Sequence, residues 1–157
     1  MYILGFDVGS RNLGYSICNF TNEKPILVEA NSEYLSDPKI ENRLVYLHEK
    51  IDSLITEYPI STIGYEAPYM KINNKSTMGL YFIAGLIVFK AAFHNLPVIS
   101  LSAATVKKEV TGSGKAEKIQ VEKAVLNYFQ ITKKFKTDHA SDAAAICIAT
   151  YKQLEIV

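Results

Sequence analysis

The chain has 157 residues, of which 48% are hydrophobic and 21% charged. This balance is typical of a folded globular protein and excludes a disordered one, and the length predicts one domain with a sizeable core. The net charge is only +1, but residues 1–68 carry 5 basic and 10 acidic side chains whereas residues 69–157 carry 12 and 6. Such asymmetry favours nucleic acid as a partner, although lysine-coated solvated helices would give the same pattern.

Three features bear on the compartment. The first residues, "MYILGFDVG", enter a strand-like run without the basic segment and cleavage site of a secretory signal. The longest apolar run, over 80–89, is too short to span a bilayer. Cys18 and Cys147 both lie in apolar surroundings, which favours a reducing interior over a disulfide framework. We therefore expect a cytoplasmic protein with no membrane partner.

The residue pattern predicts alternating secondary structure after an all-strand start. In chain order it predicts strands over 2–8, 13–20 and 24–35, a helix from the Asp37-Pro38 pair to Tyr58, a strand over 61–67, a helix over 76–94, a strand over 97–102, and helices near 103–109 and over 115–129 and 139–150. Three strands in succession predict an antiparallel meander, and the later strands would join it by crossovers. The expected fold class is α/β, with a five-stranded mixed sheet flanked by helices.

Four ionisable residues stand where a charge needs an explanation. Asp7 lies within an apolar strand and Glu66 ends another, positions at which an isolated acid is ordinarily a cap or solvated. His139 and Asp142 are three apart on one face of the last helix, where the plain interpretation is a solvated first turn capped by Thr137 or Asp138.

The four residues together favour a different interpretation. If the strands of Asp7 and Glu66 are neighbours, their carboxylates repel each other and a cation must relieve the repulsion. Clustered carboxylates select hard ions such as Mg²⁺ or Mn²⁺. Paired ions of this kind assist phosphodiester hydrolysis.

Four segments, in order, resemble the RuvC family of Holliday-junction resolvases over nearly the whole chain. They are "ILGFDVGSRNLGYSI" with Asp7, "YEAPYMKINNKSTMGL" with Glu66, the lysine-bearing "VKKEVTGSGKAEKIQV", and "HASDAAAICIA" with His139 and Asp142. Four segments in one order are more specific than any single motif. The resemblance implies a ribonuclease H-like fold and one nuclease domain over 1–157.

The resemblance also implies an activity and its residues. The chain would resolve Holliday junctions and related branched DNA by metal-dependent hydrolysis, leaving 5′-phosphate and 3′-hydroxyl ends. Asp7, Glu66, His139 and Asp142 would be catalytic and would hold Mg²⁺ or Mn²⁺, two ions per site, with Lys107 and Lys118 near the scissile phosphate. The residues expected to contact DNA are Arg11, Tyr69, Lys71, Lys75, Lys107, Lys108, Lys115 and Lys118. A homodimer would pair two active sites, with the apolar helix over 76–94 as the candidate dimer surface.

Other interpretations of the same residues compete with this one. "TGSGK" (111–115) is not a nucleotide-binding loop, because Glu109 and Ala116 replace the glycine and hydroxyl residue that such a loop requires. We therefore expect no nucleotide cofactor. "GFDVGS" also resembles the phosphate hairpin of actin-like ATPases and sugar kinases. Those proteins need two such domains, and 157 residues supply only one. A YqgF-type nuclease relative and an inactive junction-binding protein stay open, as does the choice of Asp138 instead of His139 as the partner of Asp142.

Overall fold

The computed structural model describes residues 1–21, 24–69 and 75–155, without the side chains of residues 75 and 76. Its strands are β1 (Tyr2–Val8), β2 (Asn12–Asn19), β3 (Ile26–Tyr34), β4 (Ile60–Glu66) and β5 (Val98–Leu101). Its helices are α1 (Ile40–Glu57), α2 (Lys75–Phe93), α3 (Ala103–Thr111), α4 (Lys118–Phe129) and α5 (Asp138–Glu155). The ten elements are those that the sequence predicts, in the same order, with differences at their ends.

The strands form one mixed sheet in the order β3-β2-β1-β4-β5. β1 pairs antiparallel with β2, and β2 with β3, while β4 lies parallel to β1 and β5 parallel to β4. The expected meander and crossovers are therefore confirmed. Phe6 pairs with Tyr65 across β1 and β4, so the next residues, Asp7 and Glu66, lie beside each other at the same end of the sheet.

Helices cover both faces of the sheet. α1 and α2 pack on the face that carries Leu4 and Phe6, and α3, α4 and α5 pack on the face that carries Ile3. Side chains alternate between the faces along a strand, so Asp7 shares its face with Ile3 and points toward the α5 layer. This alternation places the charged side chain of Asp7 beside a helix, near the end of an otherwise buried strand.

Three glycines let α5 lie directly on the sheet. A Cβ atom at Gly5 would stand 2.5 Å from the carbonyl oxygen of Ala143, and one at Gly14 or Gly64 would overlap atoms of α5 still more closely. The alanines of α5 complete the contact, because they add little bulk and are fully buried. The alanine-rich sequence of the last helix thus has a packing reason.

The helix starts differ from the sequence prediction for local reasons. α1 begins at Ile40 with Lys39 at the N-cap, so the helix start expected at the Asp37-Pro38 pair is wrong. Asp37, three residues before the helix, instead accepts the Lys39 N–H at 2.8 Å. α4 begins at 118 and not at 115, because the Gln120 side chain accepts the Glu117 N–H at 2.8 Å and fixes the first turn there.

Two further expectations can be checked against the described residues. Cys18 and Cys147 are buried and free, as expected. Among the helices of the described ranges, none has the length and apolar character needed to cross a membrane.

Candidate active site

Asp7 and Glu66 come together because β1 and β4 are parallel neighbours. Both residues lie at the carboxyl ends of their strands, on the face covered by α5. Their side chains line one cleft of about 330 Å³. The sequence-based argument for repulsion between the two carboxylates requires that their strands be neighbours, and they are.

His139 reaches this pair from the first turn of α5. Its Nδ1 lies 2.6 Å from the Oδ2 of Asp7. The backbone next to it is fixed, since the Ser16 hydroxyl of β2 donates to the carbonyl oxygen of Ala140 at 2.9 Å. The absent side chain of Gly14 leaves room for the carbonyl of His139. The imidazole is therefore placed by contacts on both sides.

Asp142 lies one turn further along and also lines the cleft. The ammonium of Lys118, from α4, is 3.6 Å from the Oδ2 of Asp142 and 3.9 Å from that of Asp138. Asp138 itself is 81% exposed and does not line this cleft. The geometry thus favours His139 with Asp142 over Asp138 with Asp142.

The cap of α5 is Thr137. Its hydroxyl accepts the N–H of Ala140 at 3.2 Å, as an N-cap side chain does. Of the two caps considered from sequence, Thr137 is the one that the structure shows, and Asp138 falls inside the helix.

Burial and neighbouring carboxylates raise the pKa values of Glu66 and Asp142. Burial, followed by the charges of Asp7 and Asp142, raises the pKa of Glu66 from 4.5 to about 7. Burial and the charge of Asp7 also raise the pKa of Asp142. Two lysines partly offset this effect at Glu66, Lys107 from α3 and Lys118 from α4. The cleft therefore concentrates negative charge that is not fully balanced by the protein.

This donor set fits a hard divalent cation. Three carboxylates supply oxygen ligands and one imidazole supplies nitrogen. The pKa values of Glu66 and Asp142 are raised by burial and by repulsion between carboxylates, and a bound cation would offset both. In the described part of the chain, however, no three His, Cys, Asp or Glu side chains already stand close enough to hold an ion. Binding an ion would require these side chains to move closer together.

All six residues expected to be catalytic line this cleft. They are Asp7, Glu66, Lys107, Lys118, His139 and Asp142. The three glycines and Ser16, which position α5, were not predicted as site residues from the sequence. A signal was present for the glycines, because glycine within a strand often marks a close approach of another backbone.

The residues expected to contact DNA are distributed less simply. Tyr69 follows β4 and is 83% exposed, so it does not belong to the core. Lys108 and Lys115 are exposed on and after α3. Met70, Lys71 and the side chain of Lys75 lie outside the described residues.

Arg11 has a contact that the sequence analysis did not anticipate. Its Nη1 donates to the carbonyl oxygens of Leu35, Ser36 and Asp37 at 3.0–3.3 Å. These bonds join the β1–β2 turn to the segment before α1. Its expected role in DNA contact stays a prediction.

Comparison with known proteins decides the family. The family model described as "Crossover junction endodeoxyribonuclease RuvC" matches residues 3–150. The chain belongs to the RuvC family. Family membership assigns it to the DNA endonucleases of crossover junctions.

Individual RuvC proteins agree with this assignment. The chain is 33% identical to RuvC of Sulfurovum sp. over 156 residues, covering 99% of the chain and 98% of the relative. It is 30% identical to RuvC of Fusobacterium nucleatum over 155 residues, covering 98% and 82%. The solved structure of Thermus thermophilus RuvC in complex with Holliday junction substrate matches with a TM-score of 0.91 at 19% identity, covering 99% of this chain and 96% of that one. The ribonuclease H-like fold is therefore confirmed.

Proposed function

We propose that the cleft lined by Asp7, Glu66, His139 and Asp142 is the active site of a structure-selective endonuclease for Holliday junctions and related branched DNA. One observation carries the proposal: carboxylates from two strands and a helix meet an imidazole in one cleft that also holds two lysines. The similarity to RuvC proteins, one of them described with Holliday junction substrate, supports the choice of DNA substrate.

The acidic residues would hold Mg²⁺ or Mn²⁺, two ions per site. When bound, such ions stabilise charge on the attacking and leaving oxygens of phosphodiester hydrolysis. Asp7, Glu66 and Asp142 supply oxygen ligands, and a divalent charge offsets the repulsion that raises the pKa of Glu66.

The other side chains have separate roles in this proposal. His139 ligates an ion or takes a proton from the attacking water, and the 2.6 Å contact with Asp7 sets the orientation of its ring. Lys107 and Lys118 line the cleft and would stabilise negative charge that develops on the phosphate. Lys118 faces Asp142 at 3.6 Å and is exposed enough to turn to a bound phosphate.

We propose a homodimer as the working form, because a junction offers paired strands for cleavage. The outer face of α2 supports this choice, since large apolar side chains recur on it at helical spacing. The exposed ones are Met78, Tyr81, Phe82, Val88, Phe89 and Phe93. The chain would act as one nuclease domain over 1–157, in the cytoplasm of a bacterial or phage-infected cell.

The test is cleavage of a four-way junction by Asp7→Asn and Glu66→Gln in Mg²⁺ or Mn²⁺. Each variant should lose cleavage by at least about 100-fold, since each removes an ion ligand. Junction binding without a divalent ion should be retained, because lysines supply most of the affinity. Glu57→Gln is the matched control and should cleave normally. Glu57 is an exposed acid at the C-terminal end of α1, on the face of the sheet opposite to the cleft.

Two outcomes would contradict the proposal. Cleavage at the wild-type rate by either site variant would remove the cleft from the reaction. A wild-type protein that binds junctions but cuts none of them, with either ion, would instead support the inactive junction-binding alternative. Forks and flaps in the same panel show which branched DNA is cut fastest.

A further inference from the structure

The segment between α4 and α5 carries a concentration of positive charge outside the cleft. Residues 130–137, "QITKKFKT", contain three lysines and no acid. Lys133, Lys134 and Lys136 are all exposed. Within the described ranges, none of the three forms a salt bridge. Their charges are therefore available to a partner from solution.

The segment is held in place despite its lack of helix or strand. Phe135, between the lysines, is partly buried and packs against the core on the α5 side of the sheet. Thr137 ends the segment, where its hydroxyl lies 3.1 Å from that of Ser32 in β3 and caps α5. With these two residues anchored, the lysines between and beside them face outward. We call Lys133, Lys134 and Lys136 the lysine segment.

The lysine segment lies across the cleft from Lys107, whereas Lys118 stands near the start of α5, 3.9 Å from Asp138. α5 leaves β3 at Thr137, crosses β2 near Ala140 and reaches β1 near Ala143. Lys107, in contrast, belongs to α3, which follows β5 at the other edge of the sheet. Positive charge therefore flanks the acidic cleft on two sides.

The spacing suits duplex DNA. β3 is two strands from β1, about 10 Å away at the usual separation of neighbouring strands. That distance corresponds to about three base-pair steps of a DNA helix. A duplex arm whose scissile phosphate lies in the cleft would carry further phosphates past the β3 edge.

We propose that the lysine segment binds the phosphate backbone of a duplex arm on the β3 side of the cleft. The inference rests on the proposed function, since it takes the cleft as the place where the strand is cut. It assigns to three lysines a role in affinity and not in the chemical step, because none of them lines the cleft.

The experiment measures affinity for a four-way junction against salt concentration, without a divalent ion. In the triple variant Lys133→Gln, Lys134→Gln, Lys136→Gln, affinity should fall at least about tenfold at low salt, and the slope of log affinity against log salt should flatten by about 2 to 3. The single-turnover cleavage rate at saturating protein should stay within about twofold of wild type, which separates binding from chemistry.

Two controls make the result specific. Lys24→Gln removes an exposed lysine from the β2–β3 turn, at the end of the sheet opposite to the cleft, and is the control for each single replacement. The triple Lys→Arg variant keeps the charge and should keep both affinity and slope. An equal melting temperature in all variants shows that the segment still packs through Phe135.

Each remaining outcome counts against one of the two proposals. An unchanged salt slope in the triple Lys→Gln variant, in a protein whose wild type cleaves, overturns the lysine segment alone. If the triple Lys→Gln variant keeps its junction affinity but loses binding to vesicles of anionic lipid, the segment binds a membrane surface. That result also overturns the proposal. A wild type that neither binds nor cuts junctions overturns the proposed function, and the inference with it.

Discussion

Glu66 ends β4 among groups of its own charge, and its environment opposes its ionisation. Burial and the neighbouring carboxylates raise the pKa of its side chain to about 7. A structural acid in this position would be expected to have a close cationic partner, yet Lys107 and Lys118 only partly offset the repulsion. This incomplete neutralisation is typical of a residue that binds a ligand and not of one that stabilises the fold.

The first prediction concerns the stability of the metal-free protein. Because the pKa of Glu66 is about 7 when folded and near 4.5 when unfolded, the unfolded chain loses its proton first as pH rises. The free energy of unfolding should therefore fall between pH 4.5 and 7. Glu66→Gln lacks this loss, and above pH 7 it should be about 1 to 2 kcal/mol more stable than wild type, after discounting for the solvent-facing side of the cleft.

Urea unfolding in a chelator, between pH 4 and 8, measures this difference. The two proteins should unfold alike below pH 4.5, where the carboxyl is protonated in both states. Glu57→Gln, which removes an exposed acid, should follow the wild-type curve. Parallel curves for wild type and Glu66→Gln across the whole range would show that the carboxylate is not destabilised in the fold.

The second prediction concerns the register of α5. His139→Ala should reduce cleavage by at least about 100-fold, and His139→Asp should retain part of the activity, because a carboxylate can also bind an ion at that position. Asp138→Ala should cleave normally, since Asp138 is exposed and does not line the cleft. Thr137→Ala, and not Asp138→Ala, should cost about 1 kcal/mol of stability as the lost cap. An inactive Asp138→Ala beside an active His139→Ala would reverse the assignment.

The sequence carries much of the site at this scale, but not its contacts. Asp7 and Glu66 could be identified because a charge in or beside an apolar strand needs a partner. The bonds of Arg11 could not, since its acceptors are backbone carbonyls 24 to 26 positions away and become available only when the loop before α1 folds back. Side-chain patterns say little about backbone acceptors.

At the scale of elements, the site depends on how closely α5 approaches the sheet. Glycines on β1, β2 and β4 leave no side chain beneath the helix, and each faces a different turn of it. The first of these turns holds His139 against Asp7. A rise of the helix by even the thickness of a methyl group would separate the two side chains.

The third prediction tests this approach with Gly14→Ala. Its Cβ would overlap the carbonyl of His139, so the first turn of α5 must move. We expect a loss of about 1 to 3 kcal/mol from overpacking, together with cleavage reduced more strongly than stability explains. Gly79→Ala in α2 is the control, because its added Cβ would make only ordinary contacts, 3.8 Å from the Cβ of Ser10 and 4.0 Å from Ile40 and Arg43. It should be neutral or stabilise the helix by up to about 1 kcal/mol.

Cleavage is compared at a temperature where both variants are fully folded. Wild-type cleavage by Gly14→Ala would show that α5 can be moved without harm to the site.

The order of elements could be read from the sequence because apolar periodicity is strong in each. Their ends could not, because single side-chain bonds such as that of Gln120 with the backbone of Glu117 decide where a helix begins.

At the scale of the whole molecule, the two faces of the sheet have different tasks. α3, α4 and α5 build the cleft on one face, whereas α1 and α2 cover the other. α2 is fastened to α1 by Lys90, which is 1% exposed and lies 2.5 Å from Asp52 and 3.2 Å from His48. His94 adds a contact of 2.7 Å with Asp52. This cluster, in which Lys90 is the buried member, holds the apolar outer face of α2 in a fixed position.

The last prediction is that this outer face joins two copies of the chain. Phe89 and Phe93 lie side by side on it, with ring centres 6.0 Å apart, and both are more than half exposed. A charge at Phe89 would be buried without a partner in a dimer but solvated in a monomer, so Phe89→Glu should shift the equilibrium strongly toward monomer. Sedimentation velocity at micromolar concentration measures this shift. Ile26→Glu, an equally exposed apolar residue on β3, is the control and should leave the dimer intact.

The consequence for function follows from the number of sites in each particle. A monomer carries one cleft, so Phe89→Glu should nick a junction in one strand and fail to make the paired second cut within the lifetime of the complex. A supercoiled plasmid with an extruded cruciform distinguishes the two results, because one cut gives a nicked circle and two coordinated cuts give a linear product. A wild type that sediments as a monomer and still yields linear product would show that two sites need not be joined through α2.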